Sequence, residues 1–263
     1  MSTGTQQQNQ YRILLIGDAC LDIYYFGTCD RLSPEAPVPI FKRKTIENRP
    51  GMCLNVKENL TSLGCNVEVD RNTEKIKKIR FIDQRSNQQI LRVDEEPKIN
   101  NIDIRKYSCS FLKDFDAVVI SDYDKGYILD GDVIDILEPA RRLGIPVFVD
   151  SKKKNLSNFK ECFIKINDVE YKSLKSLPRN CELIVTHGSL GCSWNGEMFP
   201  TSKVEVHDVC GAGDVFLSAF VVRWLETKDI KKSIKTANAC ASFSVTKFGT
   251  YTLNRLEYEN LRF

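Results

Sequence analysis

The stretch Val206–Phe216, VHDVCGAGDVF, places two glycines, an alanine and an aspartate directly before a long apolar run. Glycines let the backbone approach a ligand closely, and the first turn of a helix offers unpaired N–H groups and the positive end of its dipole. We therefore predict an anion hole for a phosphate, formed by Gly211, Ala212 and Gly213. Asp214 would take a proton from an attacking hydroxyl. A tight turn, with Asp214 as a plain dipole partner, is the alternative interpretation.

Common motifs for phosphate binding or nucleophilic catalysis do not match the sequence. It contains no G-x-x-x-x-G-K-[ST] segment, so a P-loop is excluded. A Rossmann fingerprint needs a third glycine where Phe216 stands, and a nucleophile elbow needs a glycine where His187 stands. No pairing of an acid with a histidine suggests a catalytic triad.

Acidic and amide side chains near the first predicted strand could bind a sugar. Asp18 ends the apolar run Arg12–Asp18, and Asp22 follows four residues later. Ligands of open α/β sheets bind at the carboxyl ends of strands, where two carboxylates can hydrogen-bond sugar hydroxyls. The alternative for Asp18 is a turn cap. Gly51 stands at a turn and Asn55 opens a predicted helix, where capping alone is the competing interpretation.

A second group of polar residues is predicted at the same sheet edge. In INDVE, Asn167 and Glu170 stand three residues apart where a strand passes into a helix. A carboxylate there can organise a hydrated Mg²⁺, which needs few protein ligands. A helix capping box is the competing interpretation. Thr186, Gly188 and Gly191 form a small turn near this edge.

The basic run DSKKKN offers one further candidate for phosphate binding. Lys152 faces either phosphates or solvent, whereas we expect Lys153 and Lys154 to lie in solvent, as charge runs usually do. The chain has a net charge of +3. Because no basic stripe with interleaved aromatic residues stands out, we do not expect a nucleic-acid partner.

Composition places the chain among ordinary globular proteins. Of its 263 residues, 42% are hydrophobic and 28% charged. The ten cysteines form no C-x-x-C pair and only two histidines are present, so neither a disulfide scaffold nor a zinc cluster is expected. We predict reduced cysteines and a cytoplasmic location. Residues 1–10 lack signal-peptide features and should form a disordered tail, and no apolar run is long enough to span a membrane.

Strand and helix signals alternate along most of the chain. Strands are predicted at Arg12–Asp18, Ala117–Tyr123, Pro146–Lys152, Cys162–Asn167 and Glu182–Gly188, and hairpins at 77–96 and 192–199. Helices are predicted at Asn55–Gly64, Asp103–Phe115, Gly131–Gly144, Asp168–Leu177, Asp214–Thr227 and Ile230–Phe248. Repeated βα units favour a doubly wound, mostly parallel α/β sheet. Strands from about 24–49 and 75–96 would form a small β-sheet lid on a single domain, 11–263.

These motifs resemble the ribokinase-like (PfkB) family of carbohydrate kinases, and within it the kinase domain of the heptose 7-phosphate kinase and ADP-heptose synthase proteins. The matching segments follow the family's order from Tyr11 to about Thr252. They are GDACLDIYYFGTCDRLSPEAPVPIFK, ENRPGMCLNV, SNQQILRVDEE, VVISDYDKG, VFVDSK, INDVE, VTHGSLG, DVCGAGD, ANACAS and KFGT. GAGD is shared across the superfamily, whereas LSPEAPVP with NQQILRVDEE is far more specific to the heptose branch.

The resemblance implies transfer of the γ-phosphoryl of ATP to a sugar hydroxyl, here the anomeric hydroxyl of a heptose 7-phosphate. It implies ATP and Mg²⁺ as cofactors, a monovalent cation as a further candidate, and a homodimer formed through the lid. No membrane partner and no cytidylyltransferase activity are expected, the latter because no residues remain for it after Phe263.

Each role falls on residues of this sequence. Asp214 matches the catalytic base and the segment 211–213 the anion hole. The nucleotide-side positions are Asn167, Asp168, Val169, Glu170, Thr186, Gly188, Gly191 and Asn238. Glu170 would also hold Mg²⁺ through water. The acceptor-side positions are Asp18, Asp22, Gly51, Asn55 and Lys125.

The chain departs from the family pattern in three places. Met52 replaces the second glycine of the PGG step, and Cys210 stands where threonine is usual. SLGCNVEVD passes almost directly into KIKKIRF, where the family has a further βα unit. The predicted fold is therefore trimmed by one strand and its covering helix, with part of the sugar-side wall. A non-catalytic protein that binds sugar phosphate or nucleotide, and a kinase for another sugar, are the alternatives.

Overall fold

The computed structural model of the chain describes residues 10–247 and 249–263. Strands in these residues are β1 (Arg12–Gly17), β2 (Ala19–Leu32), β3 (Pro39–Met52), β4 (Asn66–Arg71), β5 (Ile76–Asp83), β6 (Gln88–Glu95), β7 (Ala117–Asp122), β8 (Val147–Ser151), β9 (Phe163–Asn167), β10 (Glu182–Thr186), β11 (Cys192–Trp194) and β12 (Glu197–Phe199). Helices are α1 (Cys53–Ser62), α2 (Cys109–Leu112), α3 (Asp132–Leu143), α4 (Asp168–Ser173), α5 (Ala212–Thr227), α6 (Ile230–Ser244) and α7 (Arg255–Leu261).

The main sheet contains eight strands in the order β12-β11-β10-β9-β8-β7-β1-β4. Neighbours from β10 to β4 pair in parallel, and the β10–β11–β12 end is antiparallel. The parallel strands are near-continuous apolar runs such as RILLIG in β1, as burial on both faces requires. The carboxyl ends of β7 to β10 therefore lie along one edge of the sheet, which is where ligands of such folds bind.

Two hydrophobic layers cover the two faces of this sheet. Ile13 of β1 packs in one layer with residues of α1, α5 and α6. Its neighbour Leu14 packs in the other layer with residues of α3. Alternate side chains of one strand thus enter opposite cores, as strand geometry dictates. The doubly wound α/β fold predicted from the sequence is confirmed.

The second sheet has four strands in the order β3-β2-β5-β6, and we call it the lid. Strands β5 and β6 form the predicted antiparallel hairpin, while β2 pairs in parallel with β5 and antiparallel with β3. Strand β2 starts at Ala19, one residue after the end of the Arg12–Asp18 segment. The lid is therefore joined directly to the carboxyl end of β1.

A short connector, residues 72–75, leads from edge strand β4 of the main sheet into lid strand β5. Asn72 holds this connector in place and is 1% exposed. Its Oδ1 accepts a hydrogen bond from the Ala19 N–H at 2.6 Å, and its Nδ2 donates to the Glu74 carbonyl at 2.7 Å. The connector thereby fixes β5 beside the start of β2.

Some predicted elements differ from the observed ones. The helix predicted at 103–115 is a 3-10 turn, Ile104–Lys106, followed by the four-residue α2, because Ser108 is extended and caps α2. Helix α4 ends at Ser173, and the chain beyond it bridges to the segment 155–160. Strand β4 and helix α7 were not predicted. Helix α6 ends at Ser244, and Phe248 and residues 1–9 lie outside the described residues.

The cysteines are free, as expected, and six of the ten are buried. Within residues 10–247 and 249–263, no helix combines the length and the apolar character needed to cross a membrane.

Candidate active site

A cavity of about 1000 Å³ opens between the carboxyl ends of β8 to β10 and the start of α5. Most of the predicted nucleotide-side and catalytic residues line it: Asn167, Asp168, Val169, Thr186, Gly188, Gly191, Gly211, Ala212, Gly213, Asp214 and Asn238. Segments that are far apart in sequence thus meet at one site. The acceptor-side candidates lie beyond this cavity, on the side of the lid.

The start of α5 leaves no room for side chains on its two glycines. Gly211 is the N-cap with φ 79°, and a Cβ there would lie 2.8 Å from Thr250 Cγ2. A Cβ on Gly213 would lie 2.8 Å from the Lys165 ammonium. The Ala212 N–H already donates to the Val209 carbonyl at 3.3 Å. The backbone at 211–213 therefore approaches a lysine and a cavity closely, as an anion site requires.

Asp214 lies in the first turn of α5 and is 6% exposed. Its Oδ2 accepts a hydrogen bond from Asn55 Nδ2 at 2.6 Å, and its Oδ1 accepts one from the Tyr123 hydroxyl at 3.3 Å. Burial raises the pKa of Asp214 to about 6, partly opposed by the Asn55 hydrogen bond. Asp150 raises this pKa further, and Lys165 lowers it. A carboxylate with this pKa is ionised at neutral pH and basic enough to accept a proton.

Asn55 reaches Asp214 from the third position of α1. The N-cap of α1 is Met52, which makes no side-chain capping bond, so the capping interpretation of Asn55 is wrong. The Asn55 side chain is instead buried and orients the carboxylate of Asp214.

Two lysines bring positive charge to the cavity. Lys165 Nζ lies 2.5 Å from Asp150 Oδ2, and their side chains are 7% and 6% exposed. Lys152 pairs with Glu170 beside the same cavity, which agrees with the phosphate-facing interpretation of Lys152. The sequence reasoning missed Lys165 and Asp150. The available signal was a lysine inside the apolar strand CFIKIN, because lysine is almost never fully buried without a partner.

The N-x-x-E segment forms the capping box that was the competing interpretation. Asn167 Oδ1 accepts from the Glu170 N–H at 2.9 Å, and Glu170 Oε2 accepts from the Asn167 N–H at 2.8 Å. Glu170 Oε1 accepts from Lys152. Both Glu170 oxygens are thus engaged, so Glu170 could act on a cation through water rather than as a direct ligand.

The site nevertheless fits a hydrated Mg²⁺. Asp150 Oδ1 is buried and has no hydrogen-bond partner among the residues described, and Asp150 lines the cavity. The described part of the chain has no cluster of three or more His, Cys, Asp or Glu that could enclose a metal. Mg²⁺ usually keeps several waters and takes one or two protein carboxylates together with substrate phosphates.

The loop after β10 forms one wall of the cavity. Gly191 has φ 95°, and a Cβ there would lie 2.1 Å from the Phe199 carbonyl oxygen. Gly188 has φ 57°, and the Thr186 hydroxyl donates to the Ile166 carbonyl at 3.4 Å. Asn238 of α6 donates to the same Phe199 carbonyl at 2.9 Å. These contacts hold the loop against the hairpin β11–β12 and α6.

His187 links this loop to the start of α4. Its Nδ1 lies 2.6 Å from Asp168 Oδ1, and its Nε2 lies 2.8 Å from Ser193 Oγ. The sequence did not reveal this chain of hydrogen bonds between an acid, a histidine and a serine. Ser193 lies on β11 and does not line the cavity. The chain of hydrogen bonds therefore clamps two cavity-lining loops together.

The acceptor-side candidates divide into two groups. Asp18 is 1% exposed, and its Oδ2 accepts from the N–H groups of Tyr123 at 2.7 Å and Lys125 at 3.3 Å. Asp18 thus caps the turn after β7, and burial raises its pKa. Lys125 pairs with Glu96 at 2.5 Å and does not line the cavity.

Asp22 and Gly51 belong to the lid surface next to Asp214. Asp22 pairs with Arg80 at 2.5 Å, and the two side chains are 12% and 15% exposed. A Cβ on Gly51 would lie 2.2 Å from Asp22 Oδ2, so glycine is needed for Asp22 to lie there. Burial, and to a lesser extent the charges of Asp22 and Asp214, raise the pKa of the nearby Cys20 thiol to about 12.

The solvent-facing prediction for Lys153 was wrong, whereas Lys154 is exposed as expected. The Lys153 side chain is 6% exposed and lies within 3.2 to 3.7 Å of three carboxylates, those of Asp122, Asp124 and Asp130. Asp122 is itself buried, and burial raises its pKa to about 6. Lys153 therefore compensates a buried acid that the sequence pattern did not reveal.

Comparison with known proteins agrees with this arrangement. The profile of the pfkB family carbohydrate kinases matches residues 56–256. The bifunctional protein HldE of Campylobacter curvus is 32% identical over 304 residues, covering 95% of this chain and 64% of its own length. HldE of Haemophilus influenzae is 30% identical, covering 99% of this chain and 65% of its own length. The chain thus spans slightly less than two thirds of these relatives.

Solved structures share the fold at low sequence identity. The ribokinase of Arabidopsis thaliana, complexed with ribose and ATP, has a TM-score of 0.71 at 17% identity, covering 96% of this chain and 98% of its own. Phosphofructokinase-2 of Escherichia coli, in complex with potassium, has a TM-score of 0.73 at 15% identity, covering 96% and 97%. The ribokinase-like fold predicted from the sequence is confirmed.

The Campylobacter alignment extends over 304 residues, more than the 263 of this chain, so that relative has residues without a counterpart here. This agrees with the short connector between β4 and β5, where the sequence pattern indicated a missing βα unit.

Proposed function

Because the chain belongs to the pfkB family of carbohydrate kinases, we propose that it transfers the γ-phosphoryl of ATP to the anomeric hydroxyl of a heptose 7-phosphate. The observation that carries the proposal is Asp214, a buried carboxylate with a pKa of about 6 at the junction of the cavity and the lid. The segments that resemble the heptose branch, and the HldE relatives, favour a heptose phosphate as acceptor.

The cavity supports ATP as the phosphoryl donor. A volume of about 1000 Å³ suits a nucleoside triphosphate. Val204, Val206 and Val245 line the cavity and supply apolar surface for a base, and Lys152 and Lys165 line it and supply positive charge for phosphates. The same cavity thus offers both the apolar and the charged groups that a nucleoside triphosphate needs.

The proposed mechanism rests on alignment and charge neutralisation, because phosphoryl transfer asks for little covalent help. Asp214 accepts the proton of the attacking hydroxyl while Asn55 and Tyr123 hold its carboxylate in place. Lys165 and the backbone at 211–213 would stabilise charge on the transferred group. Mg²⁺, when bound, neutralises charge on phosphate oxygens, and Asp150, with Glu170 through water, would hold it.

A homodimer formed through the lid and a cytoplasmic location belong to the same proposal. Edge strand β6 exposes Ile90, Leu91 and Val93 by 39%, 54% and 39%, which favours a covering partner for the lid. The absence of disulfides among the ten cysteines agrees with a reducing compartment. A monovalent cation stays a candidate cofactor.

A second candidate function is non-catalytic binding of a sugar phosphate or nucleotide. Met52 favours it, because this residue adopts φ 57° and ψ −131° at the position where the family has glycine. A methionine in a glycine conformation next to Gly51 could narrow the acceptor site.

Asp214→Asn separates the two candidates. We expect magnesium-dependent ATP consumption with a heptose 7-phosphate to fall by about 10²- to 10⁴-fold, the range of a lost general base. ATP should still bind, as measured by calorimetry. Asp114→Asn, at an exposed position away from the site, is the matched control and should retain full activity.

The stability of the same variant shows whether it folds. The pKa of Asp214 rises from 3.8 in the unfolded chain to about 6, so its contribution to stability is lost as pH rises from about 4 to 6. Asparagine carries no charge to bury, so Asp214→Asn should raise the free energy of unfolding at pH 7 by up to about 3 kcal/mol. A folded variant with unchanged turnover, or a wild-type chain without turnover on any sugar, would reject the kinase proposal.

A further inference from the structure

We propose that Lys78 of the lid, with Arg80 beside it, binds the phosphate that the acceptor sugar already carries. The inference rests on the proposed function and adds to it a residue that selects sugar phosphates over free sugars.

One face of the lid is turned towards the catalytic aspartate. Strand register places Arg49, Asp22, Lys78 and Asp94 in one row across β3, β2, β5 and β6. The next row consists of Glu47, Tyr24 and Arg80, and because strand side chains alternate, both rows share a face. Lys78 Nζ lies 5.5 Å from the ring centroid of Tyr123, whose hydroxyl bonds Asp214.

Nearly all charges on this face are paired within the lid. Arg80 pairs with Asp22 at 2.5 Å, Arg49 with Glu47 at 2.8 Å, and Arg92 with Asp94 at 2.9 Å. The ammonium group of Lys78 is different: it has neither a hydrogen bond nor an ion pair to any residue that the structure describes. Asp22 and Asp94 flank Lys78 in the strand register but pair with Arg80 and Arg92, so the face presents a half-buried ammonium group that forms no ion pair with the described residues.

Lys78 and the cavity residue Lys152 lie beside the same aromatic ring, that of Tyr123. The ring centroid of Tyr123 is 5.5 Å from Lys78 Nζ and 5.2 Å from Lys152 Nζ. Lys152 lines the large cavity and pairs with Glu170, whereas Lys78 does not line it. The charge on Lys78 is therefore placed for an anion on the lid side of Asp214, where the acceptor must lie, rather than for the phosphates of ATP.

A cation in this position favours an anionic ligand. Stacking on a tyrosine ring stabilises a lysine only modestly, and a partly buried ammonium gains most from a charged acceptor. Arg80, whose guanidinium lies 5.1 Å from the Tyr24 ring, is the nearest cation along the same face. A phosphate has oxygens enough to bind Lys78 while Arg80 keeps its bond to Asp22.

The short connector between the two sheets sets the position of Lys78. Residues 72–75 tie β5 to the start of β2 through the buried side chain of Asn72. This fixes the register in which Lys78 stands opposite Asp22. The connector thus places a lid lysine beside Tyr123, whose hydroxyl bonds Asp214.

Binding measurements test the proposal without requiring turnover. Calorimetry would compare a heptose 7-phosphate with the same heptose lacking the phosphate, using the full chain and saturating Mg²⁺ with a non-hydrolysable ATP analogue. Lys78→Met should raise the Kd of the phosphorylated sugar by about 10- to 100-fold, the weight of one hydrogen bond to a charged group. The Kd of the free heptose and that of the ATP analogue should not change.

Two further variants isolate the charge. Lys78→Arg should keep most of the affinity for the phosphorylated sugar. Lys77 lies on the opposite face of β5 and pairs with Glu95. Lys77→Met should therefore leave the Kd of both sugars unchanged. Thermal unfolding of all three variants checks that the lid is intact.

The outcomes separate this inference from the proposed function. The phosphate subsite is wrong if Lys78→Met raises the Kd of both sugars equally or changes neither Kd. It is also wrong if the wild-type chain binds the phosphorylated sugar no more tightly than the free one. If the selective loss is observed but no phosphoryl transfer occurs, the subsite stands and the kinase proposal fails.

Discussion

The proposed nucleotide side and the proposed acceptor side of the site are built by different kinds of contact. On the nucleotide side, Asn167 and Glu170 hold each other three residues apart, and Lys165 pairs with Asp150 on the adjacent strand. On the acceptor side, Asn55 reaches Asp214 across 159 residues of sequence. Local and nearest-strand contacts hold the first side together, whereas the second depends on how α1 packs against α5.

The comparison predicts which changes abolish chemistry and which adjust acceptor binding. Removing charge from the nucleotide side should reduce transfer itself. Changing the acceptor side should alter the pH range in which Asp214 accepts a proton, or the backbone strain at Met52.

Apart from Asp214→Asn, the largest effect is expected for Lys165→Met. It removes a preorganised positive charge beside Gly213, so kcat/KM for ATP should fall by about 10²- to 10³-fold. It also leaves the buried Asp150 without its partner, which should lower the free energy of unfolding by roughly 3–5 kcal/mol. Steady-state kinetics and chemical denaturation measure the two effects.

The double variant Lys165→Met with Asp150→Asn separates these causes. Without the unpaired carboxylate it should regain most of the stability, but not the activity. Lys154→Met, on an exposed lysine of the same basic run, should behave as wild type. Activity that returned together with stability would mean that Lys165 only supports the fold.

An intermediate effect is expected for Asn55→Ala. Asp214 must be ionised to accept a proton, so kcat/KM should fall about tenfold per pH unit below its pKa of about 6. The hydrogen bond from Asn55 lowers this pKa, so its removal should move the acid limb of the profile to higher pH.

The pH profile distinguishes this role from a structural one. Glu58→Ala, at an exposed position of the same helix, should not shift the acid limb of the pH profile of kcat/KM. An Asn55→Ala chain that loses activity equally at every pH would show that Asn55 only packs α1 against α5.

The same contrast explains how far the sequence could predict the molecule. Helix α5, strand β9 and the hairpin β5–β6 follow from local periodicity and turn residues, and their positions along the chain were predicted to within two residues. The hydrogen bond between Asn55 and Asp214 could not be found in this way, because it joins two helices whose packing is decided by the whole core.

Buried charges were the other source of error. Lys153 stands in a run of three lysines, and no local signal shows that it meets three carboxylates. Lys165 stands in an apolar strand, and its partner Asp150 lies on the neighbouring strand rather than nearby in the chain. Pairings across strands depend on strand order, which periodicity does not specify.

The smallest effect is expected at Met52, where the acceptor side stores backbone strain. Its φ of 57° and ψ of −131° suit glycine, yet its side chain is 4% exposed and packs with the core beneath the lid. Met52→Ala loses the buried side chain and keeps the strained backbone, whereas Met52→Gly loses the side chain and relieves the strain.

We therefore expect Met52→Gly to be more stable than Met52→Ala by about 1–3 kcal/mol in chemical denaturation, the usual cost of such a conformation. This ordering is the reverse of the ordinary one, because glycine normally loses more chain entropy on folding than alanine does. If alanine proves the more stable, the backbone at Met52 carries no strain. The acceptor side would then be as relaxed as the nucleotide side, and the contrast between them would lie in side-chain contacts alone.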